Sequence, residues 1–213
     1  MEIIWYGHSC FRLRDKDIVM VTDPYDKSLG LPAPRVRADV VTVSHNHPDH
    51  NAIQNIKGEP VVFDGPGEYE IKGIFITGTS SNEGRQRPLD QENTIFVFEM
   101  DSLTVCHLGD LDHVPVQEQI EALGDVHVLL IPVGGVTTLN ASQAAEVIRL
   151  LEPRIVIPMH YALPEMELKL DPVSKFFKEM GLREPAPEAA LKVTGSALPE
   201  ETQVVLLDYK HQG

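Results

Sequence analysis

Thiols are nearly absent from this chain, which has two cysteines, Cys10 and Cys106. Two are too few for a disulfide framework, and they lack the C-x-x-C spacing of zinc or redox motifs. Buried free thiols in a reducing compartment are the expectation. Positive charge is also scarce. With 18 Lys and Arg against 32 Asp and Glu, the 213-residue chain carries a formal net charge of −14. No run of clustered Lys and Arg supplies the electrostatic attraction on which nucleic-acid binding depends, so that partner class is disfavoured. No apolar stretch approaches the roughly 20 residues needed to span a bilayer. Met1–Trp5 opens without the basic segment and small-residue cleavage site of a secretory leader, and the expected location is cytoplasmic, with no membrane partner. Neither a fixed-period repeat nor a low-complexity linker divides the sequence. What remains, 42% hydrophobic and 23% charged, is the balance of an ordinary globular protein that can bury a large core. One domain over residues 1–213 is expected.

Alternating and β-branched patterns predict strands at Glu2–Tyr6, Ser9–Arg14 and Ile18–Thr22, with Asp15–Asp17 as a turn. Further strands are predicted at Asp39–Ser44, Pro60–Phe63, Glu68–Thr77, Thr94–Met100, Ser102–His107 and Val126–Val133, and Ile155–Met159 reads as another apolar strand. Helices come later, at Pro115–Leu123 and Asp171–Met180, with start and stop signals such as Pro115, Gly124 and Gly181, and at Ser142–Leu151, where Ala145, Ile148 and Leu151 fall at helical spacing. Two long loops are expected, Pro24–Arg37 and Thr79–Asn93. Strands first, then strands mixed with helices, suggest an α/β fold of two sheets between outer helices.

The chemistry concentrates in Ser44-His45-Asn46-His47-Pro48-Asp49-His50, directly after the apolar strand. In an extended segment residues two apart point the same way, so His45 and His47 can converge while the turn at Pro48 brings Asp49 and His50 around. Three imidazoles and a carboxylate at the end of a buried strand are metal-ligand chemistry. Two other apolar strands also end in candidate ligands. Asp110 follows Val105–Gly109, and His160 follows Ile155–Met159.

His-x-His-x-Asp-His, a distant Gly-Asp and a late strand-ending histidine together resemble the metallo-β-lactamase superfamily. Gly7-His8-Ser9-Cys10-Phe11, Thr22-Asp23-Pro24, Gly65–Tyr69, His107–Asp110, Pro132–Gly135 and Ile157–Tyr161 extend the resemblance. They are most similar to the small hydrolase-like branch that includes ascorbate-6-phosphate lactonase. The resemblance implies an αββα sandwich of two mixed β-sheets flanked by helices, with a metal site at one edge. It implies His45 and His47 on a first metal, Asp49, His50 and His160 on a second, and Asp110 between them. Asp23 would stand behind the ligands and orient their rings.

One departure stands out. The family supplies another histidine from a loop before Gly-Asp, whereas Thr79-Ser80-Ser81-Asn82-Glu83 has none. His107 or His8 could substitute, Glu83 or Asn82 could offer oxygen, or only the Asp49/Asp110/His50/His160 side could hold metal. The implied cofactor is one or two divalent cations, Zn²⁺ ahead of Mn²⁺ or Fe²⁺. The implied activity is metal-dependent hydrolysis, a metal-bound hydroxide attacking a small ester- or lactone-type substrate. Asp49 or Asp110 would hold the nucleophile, and Tyr161 would donate to the developing oxyanion. Arg35, Arg37, Arg85 and Arg87 on the long loops could receive a phosphate or carboxylate. Two other readings stay open: a phosphodiesterase or nuclease of the same superfamily, and a non-catalytic metal- or metabolite-binding protein. A symmetric homo-oligomer is a further expectation.

Overall fold

The computed structural model describes residues 1–82, 92–100 and 102–209. Strands β1 (Glu2–Gly7), β2 (Cys10–Asp15) and β3 (Ile18–Thr22) form an antiparallel meander joined by two-residue turns. β4 (Val40–Thr42) and β5 (Val61–Phe63) add to it in parallel. A second meander comprises β6 (Gly67–Ile71), β7 (Ile74–Ser80), β8 (Thr94–Met100) and β9 (Leu103–His107). β10 (Val128–Pro132) and β11 (Ile155–Met159) continue it in parallel. Two-residue strands β12 (Leu191–Lys192) and β13 (Gln203–Val204), which no sequence pattern announces, complete one edge of each sheet. The sheets run β12-β1-β2-β3-β4-β5 and β13-β11-β10-β9-β8-β7-β6.

Parallel neighbours need crossovers, and these are helical. α1 (Gln117–Leu123) joins β9 to β10, α2 (Ala141–Leu151) joins β10 to β11, and α3 (Val173–Glu179) follows β11. At the start of α2, Asn140 and Gln143 exchange side-chain and backbone hydrogen bonds, both at 3.0 Å, a reciprocal cap that satisfies two otherwise orphaned donors. Ala144, Val147, Ile148 and Leu151 form its buried stripe.

β4, β10 and β11 are buried at every position, as strands covered on both faces must be, and are correspondingly rich in Val, Ile and Leu. Between the sheets, Phe11 of β2 meets His107 of β9 at 6.1 Å between ring centroids. Two mixed β-sheets with helices are thus the architecture, as expected. Glu68–Thr77, expected as one strand, is instead a hairpin: Lys72 and Gly73 take positive φ of 51° and 78°, the conformation a two-residue reversal requires. No helix among the described residues is long and apolar enough to cross a membrane.

The topology also places the site. β3 and β4 run parallel in one sheet, and β9, β10 and β11 run parallel in the other. The residues just past their carboxyl ends, Asp23, His45, Asp110 and His160, gather at one edge of the sandwich.

Candidate metal centre

The site is built outward from a buried carboxylate. Asp23 follows β3 at φ 39° and is fully buried. Its Oδ1 accepts the Ser44 backbone N–H at 2.7 Å, and its Oδ2 accepts the Ser44 hydroxyl at 2.6 Å. Oδ2 also accepts Nδ1–H of His50 at 2.8 Å. With its proton committed to Asp23, Ser44 Oγ accepts from Nδ1–H of His45 at 3.0 Å. One carboxylate therefore sets the tautomer of two imidazoles, directly for His50 and through Ser44 for His45. In its neutral form each ring then presents its Nε2 lone pair to the site.

Those lone pairs converge on Asp110. Its Oδ1 lies 3.2 Å from Nε2 of His50 and 3.2 Å from Nε2 of His160, and its Oδ2 lies 4.0 Å from Nε2 of His45. Nε2 of His8, at the turn between β1 and β2, is 3.2 Å from Nε2 of His50 and 3.4 Å from Oδ2 of Asp49. Asp49 Oδ1 meets Nδ1 of His47, whose ring is largely exposed. Three sets of potential ligand atoms each lie within 4.8 Å of one another: His8/His50/His160, His45/His50/Asp110 and His45/His47/Asp49.

A divalent cation fits these residues. Asp110 Oδ1 is buried without a hydrogen-bond partner and lies 3.2 Å from Nε2 of both His50 and His160, so it needs positive charge beside it. Acceptors packed against acceptors in a buried site are costly unless a positive charge lies among them. In the metal-free chain a proton supplies part of that charge. Burial alone would depress His50, but Asp110 and Asp23 outweigh it and hold its pKa well above the ordinary imidazole value, so a bound cation would take the place of the His50 proton. Burial opposes ionisation of Asp110, yet His160 and His50 hold it well below the usual carboxylate range. Asp49 is likewise held down, chiefly by His8 and His50, against the effect of burial. Burial, with His160 beside it, lowers His8 to about 3. Burial and the neighbouring His50 lower His45 to about 4. Near neutrality these two rings are in the ligand form.

Backbone devices fix the cluster. Asn93, absent from the sequence-derived candidates, accepts the Asp110 N–H at 2.8 Å and donates to the Leu108 carbonyl at 3.0 Å. Gly109 between them has φ 56°, and a Cβ there would lie 2.2 Å from Asn93 Oδ1. A Cβ on Gly134 would sit 2.0 Å from the His160 carbonyl, so this glycine admits the His160 turn. The His8 carbonyl accepts both the His160 N–H at 3.1 Å and the Trp5 indole N–H at 2.9 Å.

The fold thus brings together His8, His45, His47, Asp49, His50, Asp110 and His160, with Asp23 behind them. Three expectations are corrected. His107 is no ligand: Nε2–H donates to the Ser9 carbonyl at 2.9 Å and Nδ1 accepts the Gly109 N–H at 3.3 Å, which leaves no lone pair. Tyr161 turns away from the cluster. Its ring packs on Trp5 at 5.1 Å, and burial together with Glu184, Asp208 and Tyr209 raises its pKa, so its hydroxyl faces the C-terminal segment rather than an oxyanion. Arg35 and Arg37 line a different cavity. Glu83, Arg85 and Arg87 lie outside the described residues.

Above the cluster opens a cavity of about 570 Å³. His45, His47, Asp49, Asp110 and His160 form its floor, and Ser81 and Asn82 stand where the family histidine is missing. Val136, Leu168, Lys169 and Leu170 form another wall.

Comparison with known proteins places this geometry in a lineage. Residues 2–160 match a family model described as a beta-lactamase superfamily domain, a span that contains every residue of the cluster. A UPF0173 metal-dependent hydrolase of Thermoplasma volcanium is 30% identical over 207 residues, covering 81% of this chain and 88% of the relative. A solved metallo-β-lactamase superfamily protein of Thermotoga maritima, whose name proposes a Zn-dependent hydrolase, is 39% identical with a TM-score of 0.80, over 97% of each chain. An isothiocyanate hydrolase from Delia radicum gut bacteria shares the fold at 14% identity, with a TM-score of 0.72 over 92% of this chain and all of that one. The chain belongs to the metallo-β-lactamase superfamily.

Proposed function

We propose that this protein is a metal-dependent hydrolase acting on a small ester- or lactone-type substrate. The observation that carries the reading is the convergence of His45, His50 and His160 on Asp110, whose Oδ1 is buried without a hydrogen-bond partner. Asp110, His45, His50 and His160 would hold a cation, His8 completes the buried side, and His47 with Asp49 offers a second, more exposed position. Imidazole and carboxylate donors without thiolate suit Zn²⁺, Mn²⁺ and Fe²⁺, and Zn²⁺ is the first choice. A divalent cation, when bound, lowers the pKa of water from 15.7 toward about 7 and polarises the electrophile's oxygen.

This chain's residues supply the rest. Asp49 and Asp110 accept hydrogen bonds from the attacking water and orient it, and the neutral rings of His8 and His45 leave the site's positive charge to the cation. The water oxygen bonds to the acyl carbon, the acyl–oxygen bond breaks, and the leaving oxygen takes up a proton. A carboxylate and an alcohol result. No protein nucleophile is required.

The walls suggest the substrate class. A cavity of about 570 Å³ suits a small molecule. Val136, 79% exposed, and Leu168, 41% exposed, present apolar surface, and Lys169 is the lone Lys or Arg among the described lining residues. Together they favour a substrate with an apolar portion and an anionic group, and a phosphorylated lactone is the first compound to try. The lack of histidine at Thr79–Asn82 favours one competing reading, ligand binding without turnover.

The test is elemental analysis of metal-repleted protein, with hydrolysis of lactones, carboxyl esters, thioesters and phosphoesters, on wild type and His50→Ala. Bound metal with turnover that the variant loses supports the proposal. Metal without turnover on any class leaves the binding reading, and no metal after repletion overturns both.

A further inference from the structure

A second cavity, of about 840 Å³, shares no lining residue with the metal centre and plays no part in the chemistry above. It opens beside β2. Phe11 and Leu13 are in the core, so Arg12 and Arg14, which alternate with them, emerge on the opposite face of the strand. Over that face the loop between β3 and β4 brings Lys27, Arg35 and Arg37. An adjoining hollow shares Arg12, Val36 and Arg37 with it and adds Arg14 and Lys16. Six of the chain's 18 Lys and Arg residues thus line two contiguous cavities, where Asp17 and Asp26 are the only acids among the described lining residues.

In a protein of net charge −14, acids to neutralise such a cluster are plentiful, yet few are placed there, with Asp26 near Lys27 and Asp39 near Arg37. Among the described residues Lys27, Arg35 and Arg37 form no ion pair. Arg12 is held by Glu2 at 2.5 Å, while its Nε is buried with no hydrogen-bond partner. Uncompensated like charges repel one another and cost stability unless an anion joins them. Planar guanidiniums from two elements, with a flexible ammonium beside them, match tetrahedral phosphate oxygens.

We propose that this cavity is a binding site for a small molecule carrying two or more adjacent phosphates, separate from the metal centre. The surrounding excess of negative charge and the closed extent of the basic surface favour a compact ligand over a nucleic-acid strand, which would meet repulsion beyond the cavity.

The test is calorimetric titration of the full, zinc-loaded chain with inorganic pyrophosphate at constant ionic strength. Wild type, Asp110→Asn, Arg35→Gln/Arg37→Gln and Lys27→Gln are compared, with melting curves to show that each folds. Expected is one pyrophosphate per chain, bound equally by Asp110→Asn, with affinity falling about tenfold or more in the double-arginine variant and by a smaller factor in Lys27→Gln. Since the three substituted cations are exposed, their loss leaves the melting temperature unchanged; if the double variant melts early, Lys27→Gln decides. Absence of binding, loss of binding in Asp110→Asn alone, or tighter binding of a single-stranded RNA than of pyrophosphate would each overturn the proposal.

Discussion

The Asp23 carboxylate accepts Nδ1–H of His50 at 2.8 Å, with both side chains fully withdrawn from solvent. Through Ser44 the same carboxylate also governs His45. A single aspartate thus orients two rings of the cluster without pointing at its centre.

Asp23→Asn is therefore expected to weaken metal affinity about 10- to 100-fold, since the lost acceptor frees both tautomers. Competition with a chromogenic chelator measures it. An affinity unchanged from wild type would show that the Asp23 network does not act on the metal.

Two buried histidines should behave oppositely. His50→Ala removes a ring that faces Asp110 and His8, and bound metal should fall. His107→Ala leaves the Ser9 carbonyl and the Gly109 N–H without their partner, so stability should drop by about 2–4 kcal/mol. Its metal content should stay at the wild-type level. Denaturant melts paired with elemental analysis separate the two, and metal loss in a still-folded His107→Ala would return that residue to the ligand set.

Acid should destabilise the metal-free protein before the carboxylates titrate. His8 and His45 have folded pKa values of about 3 and about 4, below the unfolded value of 6.5, so the unfolded chain binds more protons between those limits. Stability then falls as pH drops through that window. His50, raised by its carboxylates, opposes this trend, with stabilisation that is lost as pH rises through its folded pKa. Melting temperatures across pH 4–7 should show the decline, and His45→Gln should flatten it. A slope identical to wild type would contradict the assignment of a buried, neutral His45.

Val136 is β-branched yet sits at φ 62° with its side chain 79% exposed, a combination unfavourable for both backbone and solvation. Val136→Gly should relieve about 1 kcal/mol of strain and raise the melting temperature, while KM rises for substrates with an apolar group and kcat changes little. A lower melting temperature would argue against strain, and an unaltered KM would remove Val136 from the substrate wall.

Much of the cluster was legible because the ligands stand where apolar strands run out. His45, Asp110 and His160 each follow an apolar strand, and a polar group there must either reach solvent or find a partner. Legibility failed where neighbours in sequence diverge in space. Tyr161 adjoins His160 but packs on Trp5, because the chain turns at His160, whose φ is 51°. Arg35 and Arg37 belong to the expected loop but to another cavity. Asn93 carried no signal, because its role consists of hydrogen bonds to the backbone of Leu108 and Asp110, and backbone partners leave no mark on residue type.

The sequence by itself determined most of the strands, the candidate ligands and the family, since alternation, burial and a spaced His/Asp motif are local properties of the chain. Tertiary structure decided which ring nitrogens face the centre. It turned His107 inward to the backbone, set His8 against His50 and His160, and gathered dispersed cations around a second cavity. Those outcomes depend on how two sheets meet and how loops cross them, and the long-range hydrogen bonds that select among rotamers and tautomers exist only once the sheets have packed.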